Sequence, residues 1–389
     1  MPPSIRIIGS LNVDMVSVTP RCPGPGETLK SISFSTHAGG KGANQAVACG
    51  RLSRPKPTTT TAQTNTIDPS RIQIEMLGAV GALDAHFPTL LKPTLHTSGV
   101  ATDRIRTIDN EHTGVAVIIV DSSAGGENRI CFSPGANYEG MRCNEEVLLE
   151  SLAAPMPDVL VLQAEIPTET LVGIFRGVKK WKRGNENDNV KGMGGVEVVF
   201  NPAPAPEGGL PEDVFGAVDH LVMNETECEI MAPGGLGGGN AGEEGTAATS
   251  VARRDRIARY FHSLGVRYVL VTLGAKGVWY SAGDAGAEVQ ADEKTWARSV
   301  AEVPAQKVER VVDTTAAGDT FVGAYSVQIA RWREARRAAG RGGEELTDAE
   351  RRERYGACTE GAVRWATRAS ARCVERRGAM DSIPWEDEI

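Results

Sequence analysis

The segment Val311-Val312-Asp313-Thr314-Thr315-Ala316-Ala317-Gly318-Asp319-Thr320-Phe321 indicates the fold more directly than any other part of the chain. Two apolar residues lead into small residues and glycine, and then into an acid and an amphipathic helical pattern. A helix that begins after such a turn leaves backbone N–H groups unpaired, and its dipole favours an anion there. The carboxylate of Asp319 would lie beside that anion. A loop capped by an ordinary aspartate is the alternative that this segment alone leaves open.

Short apolar runs alternate with helical patterns along the rest of the chain. Buried strands are predicted at residues 5–9, 72–80, 159–162, 196–200, 220–223 and 268–273, and helices at 42–52, 145–152, 169–181, 251–264 and 321–331. This alternation predicts a Rossmann-like α/β fold, a mostly parallel sheet with helices on both faces. Ligands in such sheets bind beyond the carboxyl ends of the strands. The polar residues expected at those ends are Asn12, Asp14, Glu165, Asn201, Asn224, Thr272 and Asp319.

Residues 28–37, 115–121 and 129–133 alternate between polar and apolar side chains. They predict a small β-sheet with one wet face, a lid over a pocket, with its strands within about 15–38 and 103–133. We expect residues 1–389 to form a single domain with four surface insertions, at about 54–68, 183–195, 233–249 and 333–354. Their polar, glycine-rich or charged composition buries little apolar surface, and the charged fourth one is expected either to extend helices or to be partly disordered.

Composition excludes several functional classes. The chain has 389 residues, is 41% hydrophobic and carries a net charge of −8, which gives no footprint for nucleic acid or an anionic membrane surface. Its seven cysteines are scattered, which predicts reduced thiols without a disulfide framework or a zinc site. Residues 1–10 lack a basic segment followed by an apolar one, and no apolar run approaches about 18 residues. We therefore expect an intracellular protein in the cytoplasm, with the nucleus as a second compartment.

Two segments near the amino end carry the residue types of a polyol site. Asn12 and Asp14 alternate onto one side after the first strand and can offer an amide and a carboxylate to hydroxyl groups. The glycines around Lys41 let a backbone approach a ligand, and the helix that follows carries Asn44 toward the same space. Glu165 ends a later strand. Turn formation and solvation at strand ends are the structural alternatives for these residues.

Two later segments fit a nucleotide site. Asn224 opens a helix with acids in its first turn, including Glu227, which would order Mg²⁺ through water. Capping of that helix by Asn224 is the alternative. The segment from Thr272 to Gly277 ends another strand with a hydroxyl and two glycines, as a nucleotide cradle or a tight turn would.

Taken together, these segments resemble the ribokinase (PfkB-type) carbohydrate kinase family. Two segments carry the resemblance, GGKGANQAVACGRL at 39–52 and DTTAAGDTFVGAY at 313–325. Three further matches are NPAPAPE at 201–207, NETECE at 224–229 and TLGAKGVW at 272–279. The resemblance implies ATP-dependent phosphorylation of the 5-hydroxyl of D-ribose, a lid over the sugar, and a homodimer formed through the lids.

The resemblance also implies residue roles. Asp319 would be the base, and Ala316, Ala317 and Gly318 the anion hole. The implied sugar contacts are Asn12, Val13, Asp14, Gly40, Lys41, Gly42, Ala43, Asn44, Glu165 and Asp319. The implied ATP contacts are Asn224, Thr272, Leu273, Gly274, Ala275, Lys276, Gly277, Gly318, Asp319 and Thr367. Glu227 would organise Mg²⁺, and the implied K⁺ loop comprises Asp313, Thr315, Cys373, Arg376, Gly378 and Ser382.

Two other functions stay open at this point. A kinase of the same fold acting on another sugar or a nucleoside is the nearer one, although a nucleoside base calls for an aromatic clamp and the lid segments offer only Phe34 and Phe132. A sugar-binding regulator without catalysis is the other. It would not need an acid beside an anion hole.

Overall fold

The computed structural model describes residues 2–58, 71–124, 127–187, 195–234, 251–284, 298–342 and 344–389. Its larger sheet has nine strands in the order β13-β12-β11-β10-β9-β8-β1-β4-β5. These strands are β1 (Ser4–Ile8), β4 (Gln73–Gly81), β5 (Val100–Ile108), β8 (Val159–Gln163), β9 (Glu197–Asn201), β10 (His220–Asn224), β11 (Tyr268–Thr272), β12 (Val278–Gly283) and β13 (Arg298–Val303). In this spatial order, all neighbouring strands between β11 and β5 pair in parallel, and the pairs β11–β12 and β12–β13 are antiparallel. The predicted mostly parallel sheet is confirmed.

Helices cover both faces of this sheet. They are α1 (Lys41–Leu52), α2 (Lys92–Thr97), α3 (Ala136–Glu139), α4 (Glu145–Ser151), α5 (Thr168–Asn187), α6 (Glu225–Met231), α7 (Val251–Ser263), α8 (Ala317–Ala338), α9 (Asp348–Glu353) and α10 (Thr359–Val374). One apolar core lies under α1, α8 and α10, and the other lies under α4, α5 and α7. The helices α1 and α8 approach so closely that a Cβ on Gly323 would lie 2.4 Å from the Cβ of Ala48. This contact brings the amino ends of both helices to one place.

A separate four-stranded sheet forms the lid, in the order β3-β2-β6-β7. Its strands are β2 (Asn12–Thr19), β3 (Ser33–Gly39), β6 (Gly114–Asp121) and β7 (Glu127–Ser133). The β2–β6 pair is parallel and the other two pairs are antiparallel. The predicted second lid segment, about 103–133, was too long, because residues 103–108 belong to β5 at the edge of the larger sheet. An edge strand alternates in polarity just as a lid strand does.

The predicted insertions differ in their structure. Parts of the first three, residues 59–68, 188–194 and 235–249, lie outside the described residues. The fourth, residues 333–354, extends the helices, one of its two expected outcomes, because it completes α8, forms α9 and contains the buried residues Arg333, Arg336 and Arg354. Among the described helices, none is both long and apolar enough to cross a bilayer.

Three charged side chains of this fourth segment and of β9 form a buried cluster at the amino ends of the strands. Glu197 accepts hydrogen bonds from Arg333 (3.2 Å) and Arg354 (3.1 Å), and it lies 2.7 Å from Nε2 of His220. Burial acts to raise the pKa of Glu197, but Arg354 and His220 outweigh it and hold that pKa well below its usual value. Pairing of this kind is what makes buried charges tolerable, and a count of charged residues cannot reveal it.

Candidate active site

Asp319 lies in the first turn of α8, 7% exposed, at the carboxyl edge of the larger sheet. Its Oδ2 accepts a hydrogen bond from Nδ2 of Asn44 at 2.9 Å, and its Oδ1 accepts one from Nε2 of Gln45, also at 2.9 Å. Both donors belong to the first turns of α1. The segments 39–52 and 313–325, which carry the family resemblance, are therefore in direct contact, although Asn44 and Asp319 are 275 residues apart in the sequence.

The amino end of α8 is open. No side chain caps this helix, and a Cβ on Gly318 would meet no atom within 4 Å. Ala316, which precedes the helix, has a left-handed backbone with φ of 59°, the one positive φ outside glycine among the described residues. The helix α10 supports this turn, because the hydroxyl of Ser370 on α10 donates to the carbonyl of Ala317 at 2.9 Å. The N–H of Ala317 makes a long bond to the carbonyl of Thr314 at 3.3 Å, and the N–H groups left free at such a helix start can bind an anion.

The polyol side of the site contains two acids whose ionisation is disfavoured. Burial, and then the nearby carboxylates of Glu165 and Asp319, raise the pKa of Asp14 from 3.8 to about 6, with His37 acting in the opposite direction. Burial also raises the pKa of Glu165. Glu165 Oε2 accepts hydrogen bonds from Oγ of Ser10 (2.5 Å) and the backbone N–H of Lys41 (3.0 Å). Acids with raised pKa values in one cleft are typical of a functional site.

Asn12 is held by a neighbour that the sequence did not single out. Asn137, fully buried, donates through Nδ2 to Oδ1 of Asn12 at 2.7 Å and accepts from the backbone N–H of Leu11 at 2.8 Å. These bonds leave the Nδ2 of Asn12 directed at Glu165, 3.5 Å away. Of the other predicted sugar contacts, Val13 and Ala43 have side chains fully buried in the core, so only their backbones are available to a ligand.

Lys41 supplies the balancing positive charge. Burial by itself lowers the pKa of its ammonium, but the carboxylates of Asp319 and Glu165 outweigh burial and raise that pKa. Glu227 and Asp14 act in the same direction. The ammonium of Lys41 therefore faces acids from four different segments. Its positive charge gives this otherwise negative cleft a local site for an anionic ligand.

The glycines around Lys41 have a structural role that differs from the expected approach to a ligand. Gly40 has φ of 90°, and a Cβ there would lie 2.7 Å from the backbone nitrogen of Asn12. A Cβ on Gly42 would lie 2.6 Å from the nitrogen of Ser10. Both glycines are thus required because the start of α1 touches the chain between β1 and β2. This contact places Asn44 beside the ends of those strands.

The expected nucleotide side of the site lies at the end of β10, two strands from β8, along the same carboxyl edge of the larger sheet. Asn224 caps α6 by accepting from the backbone N–H of Glu227 at 2.8 Å, and Oε2 of Glu227 accepts from the N–H of Asn224 at 2.8 Å. The capping alternative is therefore real for Asn224. Burial raises the pKa of Glu227, and the charge of Asp319 adds to this effect. Asn201 Nδ2 lies 3.4 Å from Oε2 of Glu227.

The segment from Thr272 to Gly277 is a tight turn beside Asn224, since Asn224 pairs in register with Thr272. Gly274 and Gly277 have φ of 56° and 103°, and a Cβ on Gly277 would lie 2.1 Å from the carbonyl oxygen of Val303. The turn between Thr272 and Gly277 also contains Leu273, Ala275 and Lys276. Thr367, one turn before Ser370 on α10, donates its hydroxyl to the carbonyl of Val363.

The predicted cation loop brings most of its members together next to the start of α8. Asp313 accepts from the N–H groups of Thr315 (2.9 Å) and Gly378 (3.0 Å). The thiol of Cys373 lies 3.6 Å from the carbonyl of Thr315 and 3.0 Å from Oγ of Ser382. The side chain of Arg376 turns away and pairs with Glu388 at 2.9 Å, so this residue could serve a cation only through its backbone.

The sequence assigned no role to four amide side chains around the site, Gln45, Asn137, Gln163 and Asn201, although it did place Asn201 at the ligand-binding edge. Gln163 donates through Nε2 to Oε1 of Gln45 at 2.6 Å, and Gln45 donates in turn to Asn201 at 3.1 Å. Gln45 lies within the segment 39–52, and Gln163 and Asn201 end predicted strands. Their position at strand ends was therefore a usable signal.

The chain matches the pfkB family of carbohydrate kinases over residues 3–386. It is 33% identical over 384 residues to the ribokinase of Schizosaccharomyces pombe, which covers 98% of this chain and 95% of that one. It is 30% identical over 389 residues to the ribokinase of Haemophilus influenzae, which covers 100% and 97%. The structure of Arabidopsis thaliana ribokinase complexed with ribose and ATP has a TM-score of 0.70 at 26% identity, covering 100% and 97%. The chain therefore belongs to the pfkB family of carbohydrate kinases.

Proposed function

We propose that the protein transfers the γ-phosphoryl group of ATP to the 5-hydroxyl of D-ribose, giving D-ribose 5-phosphate and ADP. One observation carries the proposal, the carboxylate of Asp319 held by Asn44 and Gln45 at an uncapped helix start. A base beside an anion site is what phosphoryl transfer to an alcohol needs. Ribose as the acceptor is supported by the full-length similarity to ribokinases.

Sugar hydroxyls would be bound by side chains with unused hydrogen-bonding capacity. The Oδ1 of Asn44 is buried and has no partner among the described residues, so it can accept from a hydroxyl. Asp14 and Glu165 offer further acceptors, and Asn12 offers an amide. Polar groups of this kind reject an analogue that lacks the matching hydroxyl. The remaining predicted contacts, at Gly40, Lys41 and Gly42, would act through their backbones or through charge.

Asp319 would orient the hydroxyl and take its proton as the oxygen attacks phosphorus. The N–H groups at Ala316, Ala317 and Gly318 would stabilise charge on the transferring group. Asn224, the turn from Thr272 to Gly277, and Thr367 would contact ATP. Lid closure would exclude water, which otherwise competes as the acceptor.

Mg²⁺ would be held at Glu227 through water. Within the described ranges no three Asp, Glu, His or Cys side chains gather as a metal cage. Mg²⁺ commonly binds one or two carboxylates, keeps several waters and takes phosphate oxygens as its other ligands. When bound, it would neutralise charge on the phosphates. Glu227 and Asn224 already brace each other through reciprocal hydrogen bonds.

K⁺ would be held by oxygens of the loop formed by Asp313, Thr315, Cys373, Arg376, Gly378 and Ser382. The donor set includes carbonyl and carboxylate oxygens, which suit a hard cation, and the loop is tied to the chain just before α8 by the N–H of Val312 donating to the carbonyl of Val374 at 2.8 Å. A cation there would order the turn at Ala316. Replacing K⁺ by Li⁺ should lower the rate, and an unchanged rate would count against this site.

We further propose a homodimer formed through the lids. Large apolar side chains are exposed on this small sheet, with Phe34 65% and Ile130 56% exposed. Exposed apolar surface of this kind typically marks an interface. Sedimentation equilibrium of the protein and of a Phe34→Ser, Ile130→Ser variant tests this, since the variant should be monomeric. A monomeric unsubstituted protein would contradict the proposal.

The reaction is tested by measuring ADP release with D-ribose, 2-deoxyribose, other sugars and nucleosides, together with identification of the phosphorylated position. D-ribose should give the highest kcat/KM and a 5-phosphate product. A nucleoside or another sugar as the best acceptor would replace ribose in the proposal. Binding of a sugar with no phosphate transfer to any acceptor would favour the sugar-binding regulator.

A further inference from the structure

Gln45, which donates to Asp319, is one of three linked amide side chains beneath the sugar site. Gln45 lies on the first turns of α1, and Gln163 and Asn201 are paired in register at the ends of β8 and β9. Gln45 and Gln163 are fully buried, and Asn201 is 8% exposed. Burying an amide costs free energy unless its groups are hydrogen-bonded. Three such groups, one of which donates to Asp319, therefore call for an explanation.

The orientation of the Gln45 amide is fixed by its partners. Its Oε1 accepts from Nε2 of Gln163 at 2.6 Å, and its Nε2 donates to Oδ1 of Asp319 at 2.9 Å and to Oδ1 of Asn201 at 3.1 Å. Both N–H groups and the carbonyl of this amide are used. The reverse orientation would set its oxygen against two oxygens and its nitrogen against the nitrogen of Gln163. Only one orientation satisfies every contact.

Asn201 continues this chain of hydrogen bonds toward the nucleotide side. Its Nδ2 donates to the carbonyl of Val222 at 2.9 Å and lies 3.4 Å from Oε2 of Glu227. Since its amide nitrogen is used in this way, its oxygen must face Gln45. Neighbouring strands of the sheet thus fix Gln45 from two sides. A rigid sheet is a better support for a site than a loop would be.

We propose that Gln45 is a positioning residue for Asp319. It holds Oδ1 of the carboxylate, so that Oδ2, which accepts a hydrogen bond from Asn44, is aimed at the acceptor hydroxyl. This inference rests on the proposed phosphoryl transfer and adds to it the residue that sets the direction of the base. An N–H donating to an anionic carboxylate makes a strong, directional bond. Without it, the carboxylate could rotate toward Lys41, the cation that faces it.

The test is a double-mutant cycle on kcat. Gln45→Met keeps an unbranched side chain of similar length but has no donor, and Asp319→Ala removes the group to be positioned. Gln45→Met should lower kcat by roughly 10–100-fold, the range for a lost bond to a charged group, with the KM values for the acceptor and ATP within about twofold. In the Asp319→Ala background, Gln45→Met should lower the residual rate by less than about twofold. Gln73→Met, at the opposite end of the sheet, is the matched control and should leave kcat unchanged.

An equal loss of kcat in both backgrounds would overturn the proposal, because it would mean that Gln45 acts on the fold and not through Asp319. An unchanged kcat in Gln45→Met would overturn it as well. Should Gln45→Met fail to fold, Gln163→Met takes its place, since it removes the group that orients Gln45 without touching Asp319, and the same two outcomes decide. If the unsubstituted protein prefers another acceptor, the cycle is measured with that acceptor, so a wrong acceptor and a wrong role for Gln45 give different results.

Discussion

Replacing Asp14 by asparagine should make the protein more stable while weakening sugar binding. The carboxylate is largely buried and lies near those of Glu165 and Asp319, which is why its pKa rises from 3.8 to about 6. Each pKa unit corresponds to about 1.36 kcal/mol, so ionised Asp14 costs the folded state about 3 kcal/mol at neutral pH. Asparagine has nearly the same shape and carries no charge. It therefore removes that cost.

The sign of the pH dependence follows from the direction of this shift. Because the folded state binds the Asp14 proton more tightly, the unsubstituted protein loses this stability as the pH rises from about 4 through about 6. The gain from Asp14→Asn should thus be near zero at pH 4 and reach its full value, up to about 3 kcal/mol, above pH 7.

Urea denaturation of both proteins at several pH values between 4 and 8 measures the effect. Glu127→Gln removes an exposed acid from β7 of the same lid and serves as the control, with no pH-dependent gain expected. A gain that does not change with pH, or a loss of stability at pH 8, would refute the reasoning. Either result would mean that the surroundings of Asp14 stabilise its ionised form instead of destabilising it.

The other predictions concern the lid, the turn and the buried cluster. Protonation of Asp14 removes an anionic acceptor, so the KM for ribose should rise as the pH falls through about 6, and steady-state kinetics that give a constant KM would contradict this. Ala316→Val adds a branched Cβ to a residue that already has φ of 59° and should lower the free energy of unfolding, measured in urea, because β-branched residues are outliers in this region. Glu197→Leu removes the carboxylate that pairs with the buried guanidinium of Arg354, while Arg333 keeps Asp158, and should cost about 3–5 kcal/mol. Arg176→Ala, from an exposed ion pair, should cost less than about 1 kcal/mol; equal costs would argue against the buried cluster.

The sequence predicted the sheet and the edge that holds the site because both depend on local patterns. Buried parallel strands are continuous apolar runs, and polar residues directly after them, such as Asn12 and Glu165, must meet at one edge. Antiparallel β12 and β13 were not predicted as strands. The edge strand β5 was assigned to the lid because its polarity alternates in the same way.

What the sequence could not supply was pairing between distant residues. Gln45 stands in a recognisable segment, yet its importance depends on Gln163 and Asn201, which lie 118 and 156 residues away. The charged segment 333–354 was expected either to extend helices or to be partly disordered, and the sequence could not decide between the two, since Arg333 and Arg354 pair with the distant acids Glu197 and Asp158. The glycines at 40 and 42 are required by the nearby backbone of Asn12 and Ser10, which the sequence did not reveal, and their approach to a ligand stays a prediction.

The role of Asp319 is tested most directly by Asp319→Asn, which keeps the shape of the side chain and removes the base. Turnover with saturating ribose and ATP should fall by roughly 10²–10⁴-fold, the span for a positioned base, while the dissociation constant for ribose, measured by calorimetry, changes little. Turnover within a few-fold of the unsubstituted protein would contradict the assignment of Asp319 as the base, and with it the mechanism proposed for this site.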